Sequence, residues 1–132
     1  MTDLQAAVGR AQLSRLEVFI QKRITIAKRY SLAFSDLDVE LPFEPLNGKH
    51  TFHRYMIKIR GDINTFMQRC YLKGVKVKQP VKPMPLHRYM GLPIKDFPNT
   101  EKIMSTSVSI PIYPTLTDEQ IALVSRVVRD SL

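Results

Sequence analysis

Cysteine, glycine and tryptophan are scarce in this 132-residue chain, which has one Cys, five Gly and no Trp. The single cysteine, Cys70, excludes an intrachain disulfide and a multi-cysteine metal site, and such sparing use is typical of a reducing compartment. The opening residues do not resemble a signal peptide, and no apolar run is long enough to cross a bilayer. We therefore expect a cytoplasmic protein with no membrane partner.

Motifs that would supply chemistry by themselves are also missing. The sequence contains no Gly-rich phosphate loop, no G-x-S-x-G turn and no paired carboxylates. His50 and His53 lie three residues apart, which on a strand places them on opposite faces, so we expect no shared metal ion. Cys70 falls on the apolar side of a predicted helix and is expected to be a buried thiol rather than a nucleophile. Composition and spacing thus assign no catalytic residue and no metal ligand.

Positive charge is concentrated in the middle of the chain. The net charge is +8, and residues 41–100 carry all of it, with eleven basic residues against three acidic ones. An anionic partner should therefore contact this part of the chain. Two interpretations stay open here, a phosphate-binding surface and a solvated basic face. The strip in question comprises Lys73, Lys76, Lys78, Lys82 and Arg88, with Tyr71 and Tyr89 nearby.

The N-terminal quarter is predicted to be helical. The length fits one domain, residues 1–132. Thr2 and Gln5 form a capping-box pattern, and a proline-free run to about Phe34 predicts one bent helix or two helices end to end. Its apolar face is wider than one core contact needs, so we expect either that it is covered on two sides or that part of it contacts another chain, such as a second copy. The residues expected at that contact are Leu13, Leu16, Phe19 and Ile20.

The rest of the chain predicts short strands and helices. Period-two alternation indicates strands, Asp62 and Thr117 are helix caps, and residues 80–98 hold five of the nine prolines and predict a loop. Together these features predict an α+β fold with helices covering an antiparallel sheet. The predicted segments are extended Leu41–Leu46, strand Phe52–Ile59, helix 62–74, strand Val75–Lys78, helix 98–104, strand Val108–Ile110 and a C-terminal helix after Thr117.

Several sequence blocks carry a family resemblance. They are the first thirteen residues (MTDLQAAVGRAQL), His50-Thr51-Phe52-His53-Arg54-Tyr55, Gly74-Val75, Leu86-His87-Arg88-Tyr89, Phe97-Pro98-Asn99 and Ser109-Ile110-Pro111-Ile112-Tyr113-Pro114. In content and in order, these blocks resemble the C-terminal part of the DegT/DnrJ/StrS family. Its members are pyridoxal-phosphate-dependent aminotransferases that act mostly on nucleotide-linked keto sugars.

The resemblance implies a fold and assigns the cofactor and the reactive lysine to a different domain. The fold is the small C-terminal domain of the aspartate-aminotransferase-like, type I fold, with a long N-terminal helix and a short antiparallel sheet. The family's larger N-terminal domain holds the Schiff-base lysine and pyridoxal phosphate, so the resemblance implies that this chain contains no cofactor site and is inactive alone. In a complete enzyme the implied partners are that domain, an amino donor such as glutamate and a nucleotide sugar, in a dimer.

The resemblance also places the basic loop beside the sugar nucleotide. Met84-Pro85 resembles a small insertion in that loop, and Val77-Lys78-Gln79 departs from the family's usual run, so the individual contacts stay open. The alternative function is a stand-alone basic module that binds nucleic acid or an anionic metabolite. It has few aromatic platforms to offer bases, which makes nucleic acid the less favoured partner. The substrate-facing candidates are His50, His53, Lys78, Lys82, His87 and Arg88.

Overall fold

Six α-helices and three short strands make up the fold. A computed structural model describes all of residues 1–132. The elements, in chain order, are α1 Asp3–Leu13, α2 Leu16–Ala33, β1 Val39–Glu40, β2 Tyr55–Ile59, α3 Ile63–Leu72, α4 Leu86–Tyr89, α5 Pro98–Thr106, β3 Ser107–Ile110 and α6 Asp118–Arg129, with a 3-10 turn at Ile94–Asp96 between α4 and α5.

The three strands form one antiparallel sheet with β2 in the centre. The register pairs Ile57 with Val108 on β3, and Ile59 with Val39 on β1. Ile57 and Ile59 are buried while Lys58 between them is exposed, as period-two alternation requires. The predicted α+β fold with a small antiparallel sheet is confirmed.

The N-terminal region is two helices that meet at Ser14 and Arg15, the second of the two arrangements predicted. α1 begins with the complete Thr2–Gln5 capping box. None of its residues is buried, and α2 is buried only in its second half, at Ile26, Ala27 and Tyr30. The predicted wide apolar face is therefore present and largely open to solvent over α1 and the start of α2.

The hydrophobic core lies between the sheet, the second half of α2, α3 and α6. It contains 20 buried residues, to which α6 contributes Ile121, Val124, Val127 and Val128. Arg129 near the end of α6 makes a two-pronged ion pair with Asp36 and also donates to the carbonyl of Ala33, so α6 is fixed to the end of α2. Cys70 of α3 is buried in this core, and burial raises the pKa of its thiol.

One predicted strand is wrong in extent, and one strand lies where none was predicted. The extended segment Leu41–Leu46 makes no strand pairing, because its two prolines lack N–H donors, whereas Val39–Glu40 just before it forms β1. Val75–Lys78 is extended but makes only one bridge, between Lys78 and Ser109, and so is not a full strand.

Two further predictions need correction. Residues 80–98 are not a loop throughout, since Pro85 begins the short helix α4 and Pro93 precedes the 3-10 turn. The strand predicted over Phe52–Ile59 begins only at Tyr55, because Phe52 adopts a left-handed backbone with φ of 46°, and His53 therefore lies outside β2.

Candidate functional site: a basic groove beside the third strand

A groove of about 560 Å³ lies between the extended segment at Val75–Lys78, the end of β3 and one face of α6. We call it the basic groove. Its floor is apolar, and its exposed rim contains one histidine, one arginine and two lysines. The residues that define it are Val75, Ile110, Ile112, Leu116, Leu123 and Val124 on the apolar side, and His53, Arg54, Lys76 and Lys78 on the rim.

Local backbone geometry positions the two lysines of the rim. Val75 and Val77 are buried, so alternation turns Lys76 and Lys78 outward on the same side of the chain. The backbone of Lys78 is fixed to β3 by two hydrogen bonds, from its N–H to the Ser109 carbonyl at 3.0 Å and from the Ser109 N–H to its own carbonyl at 2.7 Å. The backbone that carries Lys78 is therefore fixed to the edge of the sheet rather than lying in a free loop.

Charge on the rim is not neutralised within the molecule. Lys76 and Lys78 belong to none of the seven ion pairs in the structure, and Arg54 donates only to the Pro80 carbonyl. No Asp or Glu lines the groove. Like charges gathered on one wall without a carboxylate produce a positive local potential, which attracts anions.

Two residues of α2 hold the walls of the groove in place. The Arg23 guanidinium donates to the carbonyls of Phe52, His53 and Ile112, at 3.3, 3.1 and 2.8 Å. The Tyr30 hydroxyl donates to the Pro111 carbonyl at 3.0 Å. Burial raises the pKa of Tyr30, so this phenol stays a neutral donor at physiological pH.

His87 and Arg88 belong to a second cluster, around Glu101 of α5. His87 Nε2 lies 2.7 Å from Glu101 Oε1, and the Arg88 guanidinium contacts both carboxylate oxygens. The hydrogen bonds from Arg88 lower the pKa of Glu101 to about 2. The His87 ring is only 5% exposed and stacks on Phe97 at 4.5 Å. Both side chains are thus occupied with an internal carboxylate.

Of the six substrate-facing candidates, His53 and Lys78 lie together on the rim of the basic groove, and His87 and Arg88 lie together at Glu101. His50 lies apart from them, with Nδ1 accepting from the Phe52 N–H at 2.9 Å. Lys82 is exposed in the segment before α4 and does not line the groove. That any of the six candidates contacts a substrate stays a prediction.

Sequence reasoning placed Lys76 in the basic strip but did not select three residues that the geometry makes prominent. Arg54 lies on the rim of the groove with Lys76, and Arg23 and Glu101 each join segments distant in the chain. The partners of these three residues depend on tertiary contacts between positions 13 to 89 residues apart.

The donor set of the groove does not fit pyridoxal phosphate by itself. The cofactor needs a lysine together with an acid that faces its pyridine nitrogen. Lys76 and Lys78 are present, but no carboxylate lines the groove. The structure also contains no group of three His, Cys, Asp or Glu side chains able to hold a metal ion. No helix combines the length and the apolar character that a membrane span requires.

Two solved structures with this architecture are aminotransferases. The aminotransferase TlmJ from Streptoalloteichus hindustanus superposes with a TM-score of 0.85 and 25% identity, over 99% of this chain and 36% of that one. DesV from S. venezuelae superposes with a TM-score of 0.87 and 24% identity, over 96% of this chain and 35% of that one. The chain therefore has the fold of one portion of an aminotransferase.

Sequence relatives give the family. The spore coat polysaccharide biosynthesis protein SpsC from Bacillus subtilis is 32% identical over 98% of this chain and 36% of its own length. The 3-oxo-glucose-6-phosphate:glutamate aminotransferase of the same organism is 30% identical over 91% of this chain and 29% of its own. The profile of the DegT/DnrJ/EryC1/StrS aminotransferase family matches residues 1–129, and the chain belongs to this family.

The predicted resemblance is confirmed, and so is its partial extent. The chain spans about a third of the length of the curated relatives that it matches. Pyridoxal phosphate is the cofactor of this family of aminotransferases. Whether the present chain alone holds the cofactor stays a prediction.

Proposed function

We propose that the chain is the small C-terminal domain of a pyridoxal-phosphate-dependent aminotransferase that acts on a nucleotide-linked keto sugar. The observation that carries this proposal is the family match over residues 1–129 together with coverage of only a third of the relatives. Two further relatives, a dTDP-3-amino-3,4,6-trideoxy-alpha-D-glucose transaminase and a UDP-N-acetyl-3-dehydro-alpha-D-glucosamine 3-aminotransferase, support a nucleotide-linked substrate.

In this proposal residues 1–132 act as one domain that shapes the substrate side of a complete enzyme. A larger N-terminal domain supplies the reactive lysine, the acid and the cofactor. The absence of any carboxylate from the basic groove supports this division, as does the open apolar face of α1. The isolated chain is then inactive, and its contribution to the substrate comes from the segment between His53 and Arg88.

The alternative of a stand-alone nucleic-acid module has weaker support. Such a surface needs aromatic side chains interleaved with its basic residues so that bases can stack. Tyr71 and Tyr89 are exposed, but neither lines the basic groove, and Tyr113 is the single tyrosine on its wall. The geometry therefore favours a small anionic ligand over a strand of many phosphates.

Two measurements test the proposed function. The chain is mixed with pyridoxal phosphate, reduced with borohydride and analysed by peptide mass spectrometry. We expect no stoichiometric adduct at one lysine. In parallel, the chain replaces the matching C-terminal portion of SpsC, and the fusion should show the absorbance change of an amino-group half-reaction with glutamate. A single-site adduct with turnover in the isolated chain, or an inactive but folded fusion, would contradict the proposal.

The open face of the N-terminal helices supplies the partner contact in this proposal. Leu13 and Leu16 are exposed, and Phe19 and Ile20 are half-buried beside a second groove of about 560 Å³. Without its partner domain, the chain is expected to associate with a second copy through this face, because exposed apolar surface favours pairing. Sedimentation of the Leu13→Glu/Leu16→Glu variant should show a monomer, whereas Lys28→Glu should associate like the parent. A parent chain that is monomeric at high concentration would contradict this expectation.

A further inference from the structure

We propose that residues 80–97 form a strap that opens as one unit while the core stays folded, and that Glu101 is the lock that keeps the strap closed. The strap contains α4 and the 3-10 turn, and it ends just before α5, which carries Glu101. This inference goes beyond the proposed function. It concerns a movement of this chain alone and does not depend on aminotransferase activity.

Burial is the first argument for local opening. None of the 20 residues of the hydrophobic core comes from the strap, and within the strap only Pro85 and His87 are buried. Large apolar side chains such as Leu86, Met90 and Ile94 are exposed instead. Opening the strap therefore uncovers little apolar surface. Segments with few buried contacts open at a lower free energy than the core does.

The hydrogen bonds of the strap are the second argument. The backbone N–H groups of the strap donate only to carbonyls within it, and no backbone hydrogen bond joins it to the sheet, α2, α3 or α6. Two polar attachments reach outside the strap. Arg54 donates to the Pro80 carbonyl at its start, and His87 and Arg88 contact Glu101. The strap can therefore move away without breaking a strand or a core helix.

Glu101 holds two side chains of the strap with one carboxylate. Arg88 keeps the pKa of Glu101 at about 2, so this carboxylate is ionised at neutral pH and only accepts hydrogen bonds. His87 Nε2 therefore donates to Oε1 at 2.7 Å, and Arg88 Nε donates to the same oxygen at 2.9 Å. The Glu101 side chain is only 19% exposed, and hydrogen bonds to a charged acceptor are stronger where water is scarce.

The other attachment connects the strap to the basic groove. Arg54 lines the rim of that groove, and the Pro80 carbonyl accepts from its guanidinium. When the strap opens at this end, the guanidinium loses the one acceptor that orients it. The lock at Glu101 thereby influences the orientation of a rim residue that it does not contact.

The experiment is native-state amide hydrogen exchange of the 132-residue chain, read by peptide mass spectrometry at neutral pH with urea below the unfolding transition. The hydrogen-bonded amides of Met90, Gly91 and Leu92 report on the strap, and those of β2 and α6 report on the core. We expect the strap amides to exchange faster than the core amides and to be nearly insensitive to urea, because local opening exposes little surface. A urea dependence as steep as that of the core amides would overturn the inference.

Two variants separate the lock from the core. Ile121→Val is a mild core change that should accelerate exchange of the core amides about fivefold and change that of the strap amides by less than about twofold. Glu101→Ala should accelerate exchange of the strap amides about tenfold or more, because it removes charge-assisted hydrogen bonds. The matched control Glu17→Ala removes an exposed carboxylate paired with Lys49, and it should change strap exchange by less than about twofold.

Three results from the variants would overturn the inference. Equal acceleration of strap and core amides in Ile121→Val would mean that the strap opens only when the whole molecule unfolds. Unchanged strap exchange in Glu101→Ala would mean that Glu101 is not the lock, and equal acceleration in Glu17→Ala would mean that its contacts are not specific. Circular dichroism verifies that each variant folds. Because the readout is exchange and not catalysis, an inactive fusion with SpsC would contradict the proposed function and leave this inference standing.

Discussion

α1 and α6 begin with the same capping motif, but α1 is exposed to solvent and α6 is packed in the core. In each helix a threonine, Thr2 or Thr117, accepts from the backbone N–H of a glutamine three residues later, whose side chain accepts in return from the threonine N–H. α6 then buries four residues, whereas α1 buries none. The comparison teaches that the capping box decides where a helix begins, and that burial depends on what the fold places opposite its apolar side.

The largest difference should appear when apolar side chains of the two helices are truncated. Ile121→Ala on α6 leaves a cavity in the core and should lower the free energy of unfolding by about 3 kcal/mol. Leu4→Ala on α1 removes a side chain that is 76% exposed and should change it by less than about 0.5 kcal/mol. Urea unfolding measures both variants. A cost for Leu4→Ala near that of Ile121→Ala would show that α1 is covered in solution.

A smaller effect is expected at Arg23, which lies on α2 between the open and buried regions. Arg23→Gln removes three hydrogen bonds to the carbonyls of two distant segments. It should lower the free energy of unfolding by about 2 kcal/mol. The neighbouring exposed Lys22→Gln removes the same charge and should be nearly neutral. Urea unfolding again gives the values. Equal costs for the two variants would mean that charge, and not the carbonyl contacts, is responsible.

The two caps give a still finer test of the comparison. Thr117→Ala should lower the free energy of global unfolding by about 1 kcal/mol, because α6 is part of the core. Thr2→Ala should leave global unfolding unchanged and instead accelerate amide hydrogen exchange within α1, which opens locally. Exchange measured by mass spectrometry, beside urea unfolding, separates the two behaviours. If Thr2→Ala lowered the free energy of global unfolding as much as Thr117→Ala, α1 would not open independently of the core.

The smallest expected effect is the pH dependence contributed by Glu101. Its folded pKa of about 2 lies below the ordinary value, so the stability it contributes is present above about pH 4.5 and is lost as the pH falls towards 2. Glu101→Gln should therefore show a shallower loss of stability across that interval. If Glu101→Gln lost stability with falling pH as steeply as the parent, the hydrogen bonds from Arg88 to Glu101 would not be the source of this pH dependence.

Local signals predicted the parts of the fold that depend on near neighbours. Asp62 accepts from the N–H of Thr65 at the start of α3, as its cap pattern indicated, and the alternation of Ile57 and Ile59 gave the buried face of β2. The family resemblance predicted the fold class, which the solved structures confirm. These features were accessible because each is set by contacts a few residues apart or by shared ancestry.

The rest depends on contacts that local patterns do not encode. No residue near Phe52 in the sequence predicts its left-handed backbone, and this backbone places His53 outside the strand. Lys82 and His87 belong to one proline-rich segment, yet only His87 is buried, because Glu101 lies opposite it. The joining of Arg54 and Lys78 in one groove likewise follows from the pairing of Lys78 with Ser109.

Hydrogen bonds from α2 to Pro111 and Ile112 couple the position of this helix to the wall of the groove. One end of α2 presents Leu16 to solvent, and the other end is packed in the core around Tyr30. A domain seated on the open end contacts the same rigid body that holds the wall of the groove. Under the proposed function, docking of the larger domain and binding of a ligand in the groove are expected to be linked equilibria, in which each favours the other to the same degree.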